Sequence, residues 1–259
     1  MRSEFPLATS KPKVPLSQAE IDGILKAEAD HCCGGIGAQK ICVRIAAIAE
    51  LPTRFGRFQI AAFWNNRDGK EHVAIMSGRP YGGVDVPVRI HSECLTGDAL
   101  GSLRCDCRDQ LEVSLRTIAQ VPDGVVLYLR QEGRGIGLLN KVRAYALQDR
   151  GLDTVEANEA LGFRDDEREY AIAAHMLLSL KIRSVQLLTN IPRKVAELSR
   201  YGIQVVNRQP LIIPPNEHNR FYLETKARKS GHYIDFDGKL HLEEQGESVQ
   251  VQGMKDGAN

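Results

Sequence analysis

The chain contains no run of 18 apolar residues, which excludes a transmembrane helix. Its opening residues, MRSEFPLATSKPKVPLSQAE, lack the apolar stretch of a secretory signal. Charge of one sign is also missing: 34 Lys+Arg stand against 33 Asp+Glu, a formal net charge of +1. That balance argues against nucleic acid or an anionic membrane as the main partner. No internal repeat and no Walker A sequence occurs. What remains is ordinary soluble-globular usage, 42% hydrophobic and 26% charged over 259 residues, enough for one large domain or two small ones. A cytoplasmic, reducing setting follows as the expectation. The six cysteines then read as metal ligands, catalytic thiols or buried apolar residues rather than disulfides.

Residues 1–16 are polar and broken by Pro6, Pro12 and Pro15, the composition of a mobile arm. Ser17 and Glu20 form a capping box, and Ile21, Ile24 and Leu25 fall on one helical stripe. The run His31-Cys32-Cys33-Gly34-Gly35 reads as a joint, so 1–44 is an N-terminal extension. Strand-like apolar runs then lie at 58–64, 72–76, 124–129, 184–188 and 202–206. Between them, Leu111, Leu115 and Ile118 share one helical face; Leu139, Val142, Ala146 and Leu147 a second; Ile172, Met176, Leu177 and Leu180 a third. Pro192 suits a helix first turn, and Gly202 its C′ stop. Alternating strands and helices predict an α/β fold, layered α/β/α, with a mixed, largely parallel sheet. The polar, Gly-containing stretch 237–259 reads as a disordered tail.

Cys94, Cys105 and Cys107 stand within fourteen residues. Three thiolates suit Zn²⁺, and a fourth position left to water or substrate is the catalytic arrangement. Spacing leaves two alternatives open: a structural site completed by His91, and three buried thiols without metal. His91-Ser92-Glu93 matches half of the zinc-deaminase signature, but Cys105-Asp106-Cys107 does not supply P-C-x-x-C. Gly133-Arg134-Gly135-Ile136-Gly137 likewise lacks the third glycine of a dinucleotide loop in either frame, which falls on Leu138 or Asn140.

Three further clusters carry charge to predicted element ends. Glu132 and Arg134 follow an apolar strand and precede a helix, the place where ligands bind in open α/β sheets; alone, they read equally as a surface pair. The acidic run 165–169 opens the helix carrying Ile172, where capping explains it; Asp166 and Arg168, two apart, do not share one face of a straight helix but could both reach a site at the helix mouth. Thr189, Arg193 and Lys194 surround another helix start, either an anion site or an N-cap with solvated cations.

Together these segments point further. Arg89-Ile90-His91-Ser92-Glu93-Cys94-Leu95-Thr96-Gly97-Asp98, Arg104-Cys105-Asp106-Cys107, Arg130-Gln131-Glu132-Gly133-Arg134-Gly135-Ile136-Gly137-Leu138 and Asp153-Thr154-Val155-Glu156-Ala157-Asn158 resemble GTP cyclohydrolase II. The resemblance spans about residues 45–236, which marks out a catalytic domain without a fused dihydroxybutanone phosphate synthase. That family opens the imidazole ring of GTP and releases formate and pyrophosphate, giving a diaminopyrimidinone ribosylamino phosphate, the entry compound of riboflavin synthesis. The resemblance implies one Zn²⁺ on Cys94, Cys105 and Cys107. It implies a GTP site from Arg89, Ile90, His91, Ser92, Glu93, Gln110, Glu132, Gly133, Arg134, Thr154, Thr189 and Lys194. It makes Asp166 a proton acceptor, Arg168 a catalytic nucleophile toward the α-phosphate, and Tyr145 a helper of ring opening. Mg²⁺ on the triphosphate and a homodimer are implied as well, with no nucleic-acid or membrane partner. An arginine nucleophile would be unusual because guanidinium is effectively always protonated; electrostatic stabilisation of departing pyrophosphate serves equally. One departure stands out: Arg108-Asp109 follows Cys107 where the family usually has glycine.

Overall fold

The computed structural model describes residues 14–29, 31, 40–211, 213–220 and 222–224. Cys32 and Cys33, residues 1–13 of the expected arm and the expected tail at 237–259 lie outside the described residues.

The chain opens with α1 (Gln18–Ala29), started by the Ser17–Glu20 capping box: Ser17 N–H donates to Glu20 Oε2 at 2.9 Å. An antiparallel meander follows, β1 (Val43–Thr53), β2 (Gly56–Asn65) and β3 (His72–Ser77). Next come β4 (Val86–Ser92), α2 (Cys107–Gln120), β5 (Gly124–Leu129), α3 (Gly137–Gln148), α4 (Thr154–Ala160), α5 (Ala171–Ser179), β6 (Ser184–Leu188), α6 (Pro192–Arg200) and β7 (Gln204–Gln209). The seven strands form one sheet in the order β1-β2-β3-β5-β4-β6-β7. The sheet is mixed, as expected, with parallel pairing confined to β5–β4, β4–β6 and β6–β7 and antiparallel pairing in the other half.

Strand β5 shows why the sheet is covered on both sides. Val125, Leu127 and Leu129 enter one core with Ile21 and Ile24 of α1, Met176 and Leu177 of α5 and Leu198 of α6. Val126 points the other way and packs with Phe58, Leu115 and Ile118 of α2. Alternation along the strand therefore feeds two cores, as a three-layer α/β/α arrangement requires. Helix α5 is apolar apart from His175 and Ser179, and eight of its nine residues are buried. Helix α1 joins the main core, and its buried Glu28 accepts from the Ile45 N–H at 3.0 Å.

Three expectations need correction. Leu139 and Val142 of α3 are 66% and 52% exposed, so their stripe is not the buried face. The helix instead buries Lys141 and Ala144 on its opposite side, which adjoins the cysteine cluster. The acidic run 165–169 does not open a helix either, because α5 begins only at Ala171. Its carboxylates are engaged by arginines rather than by helix N–H groups: Asp165 by Arg134, Asp166 by Arg168 and Glu167 by Arg164. The strand expected at 202–206 runs instead from Gln204 to Gln209, while Gly202 takes φ 83° just beyond α6, the left-handed C′ position.

Candidate active site

At the carboxyl ends of β4 and β5 the chain turns into irregular loops that carry the cysteines and the Glu-Gly-Arg segment. Strand β4 ends at Ser92, and one π-helical turn, Leu95–Ala99, begins directly after Cys94. Cys105 and Cys107 return at the start of α2. The three sulfurs lie within 4.8 Å of one another, and Cys94 Sγ is 3.6 Å from Cys105 Sγ. Tetrahedral zinc with Zn–S near 2.3 Å separates sulfurs by about 3.8 Å, so the donor set fits such an ion by chemistry and spacing. Gly97 is the residue that permits this approach: a Cβ there would stand 2.8 Å from Cys105 Sγ and 3.1 Å from Cys94 Sγ. Cys107 is already the first residue of α2, so Arg108 continues an ordinary helical turn and pairs with Glu112 at 3.3 Å.

His91 is no part of the cluster among the described residues. Its Nε2 meets the Asp98 carboxylate at 3.1 Å, and its ring stacks on Tyr128 with centroids 5.4 Å apart. Asp98 also accepts from the Cys94 N–H at 3.0 Å and the Tyr128 hydroxyl at 2.8 Å. His91 thus braces the loop from behind, and burial pulls its pKa down.

A cleft opens beside the thiols. Ser92, Glu93, Cys94, Cys105 and Cys107 line one side. Glu132, Gly133 and Arg134 line another, carried by a 3-10 turn in which Gly133 and Arg134 have φ of 62° and 58°. A non-glycine residue in the left-handed region marks a locally strained turn, held here by the Glu167 N–H donating to the Arg134 carbonyl at 3.0 Å. Tyr145, Thr154 and Arg168 also line it. The Tyr145 hydroxyl lies 3.2 Å from Thr96 Oγ1, and burial pushes its pKa up to about 12. Thr154 is the first residue of α4, where the Asp153–Glu156 capping box fixes the turn.

Asp166 and Arg168, two residues apart in an extended loop, form a two-pronged ion pair: Nε to Oδ1 at 2.8 Å and Nη2 to Oδ2 at 2.7 Å. Burial works to raise the Asp166 pKa, but the Arg168 hydrogen bonds prevail and hold it at about 2. Burial likewise opposes the Arg168 charge, which Tyr170 and Asp166 nevertheless keep protonated.

Other expected site residues stand behind the wall. Arg89 reaches from β4 to Gln110 Oε1 at 2.7 Å and the Leu188 carbonyl at 3.0 Å, while Gln110 donates to Asp106 between the two later cysteines. Burial lowers the Arg89 pKa to about 10. Ile90 is fully buried, and its carbonyl accepts from Lys194 Nζ at 2.7 Å. Lys194 is therefore tucked between α6 and β4, and Thr189 is buried with its Oγ1 accepting from the Ile191 N–H at 3.0 Å.

Sequence reasoning missed Lys141. Its Nζ donates to Cys94 Sγ at 3.0 Å and Glu132 Oε1 at 2.7 Å. Hydrogen bonds from Cys105 and Cys107, with help from this ammonium, pull the Cys94 thiol far below its usual pKa. Cys105 is held up at about 11: its bond with Cys107 lowers it, but its bond to Cys94 and burial prevail. A lysine at i+9 from Glu132 has no sequence signature; only the rotation of α3 reveals it.

Residues 43–210 match the family model described as GTP cyclohydrolase II, well over half of the chain. The chain belongs to the GTP cyclohydrolase II family. It is 57% identical over 199 residues to GTP cyclohydrolase-2 of Azotobacter vinelandii, covering 77% of this chain and 94% of that one. With GTP cyclohydrolase-2 of Tolumonas auensis it shares 55% over 192 residues, 74% of this chain and 98% of the relative. Riboflavin biosynthesis protein RibBA of Synechocystis is 54% identical over 194 residues; the match covers 74% of this chain but only 35% of that longer protein. The thiol cluster and the Glu-Gly-Arg turn both lie within the span matched to the GTP cyclohydrolase II model. Among the described residues no helix is long and apolar enough to cross a membrane.

Proposed function

We propose that the cleft opens the imidazole ring of GTP and releases formate and pyrophosphate, giving the diaminopyrimidinone ribosylamino phosphate that enters riboflavin synthesis. The observation that carries this reading is the convergence of three thiols, the Glu132 carboxylate and the Arg134 and Arg168 guanidinium groups on one cleft. Cys94, Cys105 and Cys107 would hold a zinc ion, which when bound would supply an activated water for attack on the purine carbon between the imidazole nitrogens. Glu132, fixed by the Leu95 and Gly133 N–H groups at 2.6 Å each, offers its carboxylate to the ring N–H and amino group of guanine. Arg134 and Arg168 supply the guanidinium groups for phosphate oxygens. Tyr145, protonated at neutral pH, is a hydroxyl donor at the reacting ring.

Asp166 needs Arg168 to move before it can accept a proton, since a carboxylate held near pKa 2 is a weak base. Transfer of the guanidinium to phosphate would free it, which ties proton acceptance to substrate binding. Arg89 and Gln110 serve this reaction by bracing the cysteine loop through Asp106. His91 braces the same loop through Asp98. Thr189 and Lys194 belong to the phosphate side in this reading, and Lys194 must leave the Ile90 carbonyl to act there. Mg²⁺ would accompany the triphosphate, held by the substrate and water rather than by residues of the chain. A homodimer, a cytoplasmic location and the absence of nucleic-acid or membrane partners are parts of the same proposal.

The Cys105→Ser variant tests it. Zinc content and formate release should both be lost while the fold, followed by circular dichroism, persists. Full ring opening by this variant would show that the thiol cluster does not activate the water.

A further inference from the structure

Lys141 is 9% exposed, yet it borders the cleft and donates both to a thiol of the metal-fitting cluster and to the carboxylate assigned to the base. Glu132 closes the loop by accepting, through its other oxygen, the N–H of Leu95 at 2.6 Å, the residue directly after Cys94. Cys94, Lys141, Glu132 and Leu95 therefore form a ring in which a metal-ligating sulfur and a base-reading carboxylate share one cation and one stretch of backbone. Charge requires that cation. Zinc on three thiolates carries 2 − 3 = −1, Glu132 adds −1, and the Lys141 ammonium is the +1 bonded to both. Removing it leaves two like charges facing each other in a partly desolvated site. Glu132 would then turn away from Cys94, and the loop at Leu95 would lose its anchor.

We infer that Lys141 is a positioning residue that couples occupancy of the Cys94–Cys105–Cys107 cluster to the reading of guanine by Glu132. The inference rests on the proposed function, because it takes the cluster as a zinc site and Glu132 as the base contact. Coupling between two binding events is reciprocal: if zinc sharpens guanine recognition, guanine recognition tightens zinc by the same factor. A lysine that merely filled space would leave base preference unchanged.

The test uses Zn²⁺ alone, measured by competition with a chromophoric chelator, and two nucleotides that cannot be opened, 7-deazaguanosine and 7-deazainosine triphosphates, measured by calorimetry. The second lacks the amino group that a carboxylate recognises. Wild-type protein loaded with zinc should prefer the guanine form by about 10-fold or more. In Lys141→Gln, zinc affinity should fall by about 10- to 100-fold, and the guanine preference should fall toward unity even at saturating zinc. Stripping zinc from the wild type with a chelator should also reduce the preference, an arm that stands if Lys141→Gln does not fold. Guanine preference retained in Lys141→Gln, or identical in zinc-loaded and stripped wild type, overturns the coupling. A wild type that binds no zinc, or has no guanine preference, would instead refute the reading of the site and take the inference with it.

Discussion

Adding one methyl group at Gly97 should separate the thiol cluster from everything else in the fold. The Cβ of Gly97→Ala would lie 2.8 Å from Cys105 Sγ, 3.1 Å from Cys107 Cβ and 3.1 Å from Cys94 Sγ. Ordinary contact begins near about 3.5 Å, so the cysteines must yield by about 0.4–0.7 Å. A zinc site tolerates only about 0.2 Å in its ligand distances. The φ of Gly97 is not in the left-handed region, so alanine adds no backbone strain and the effect is steric. Overpacking of this size costs about 1–3 kcal/mol, which a domain of ordinary stability survives. Gly97→Ala is therefore expected to fold, with a lowered urea midpoint, but to hold zinc at least tenfold more weakly, and formate release should fall with zinc content. Metal analysis after dialysis against a graded chelator reads the affinity; urea unfolding of metal-free protein reads the stability. Unchanged zinc affinity in the variant would refute the claim that Gly97 is there to let the sulfurs converge.

Three more outcomes follow from particular residues. Tyr145→Phe keeps the ring in the wall but removes the hydroxyl 3.2 Å from Thr96, so zinc content should persist while formate release per zinc falls by about 100-fold. Asp166 has its pKa lowered from 3.8 to about 2, so its ion pair contributes about 2 kcal/mol above pH 4, lost as pH falls from about 4 toward 2. Asp166→Asn should flatten that limb of the stability–pH curve, and an unchanged limb would contradict the pairing. Gly23 lies inside α1, and a methyl group added there would meet nothing within 4 Å, so Gly23→Ala should raise stability by about 0.5–1 kcal/mol in urea unfolding without changing activity.

The parts legible in the sequence are those whose chemistry depends on residue type and close spacing. Cys94, Cys105 and Cys107 are such a set, and so is the Glu-Gly-Arg turn between an apolar strand and a helix. The capping box at Ser17 and the C′ glycine at position 202 are local too, and the chain folds there as the pattern dictates. Rotation about an axis is not local. Leu139 and Val142 make as good an apolar stripe as any buried one, but the other face of α3 supplies Lys141 and Tyr145 to the cleft, and that leaves the leucine exposed. The acidic run before α5 imitates helix-dipole capping, whereas arginines use it: Arg168 and Arg164 pair with Asp166 and Glu167 close by, and Asp165 answers Arg134, 31 residues away. The same holds for Arg89 and Lys194, whose cationic character is plain but whose burial behind β4 is a property of the packed layers.

The most direct measurement is stoichiometric. Zinc-loaded protein is incubated with GTP and Mg²⁺, and formate, pyrophosphate and the pyrimidine product are assayed together. One formate and one pyrophosphate are predicted for each GTP consumed. Pyrophosphate without formate would mean the reaction stops at the formamidopyrimidine, and no turnover by protein that binds both zinc and GTP would contradict the enzymatic reading altogether.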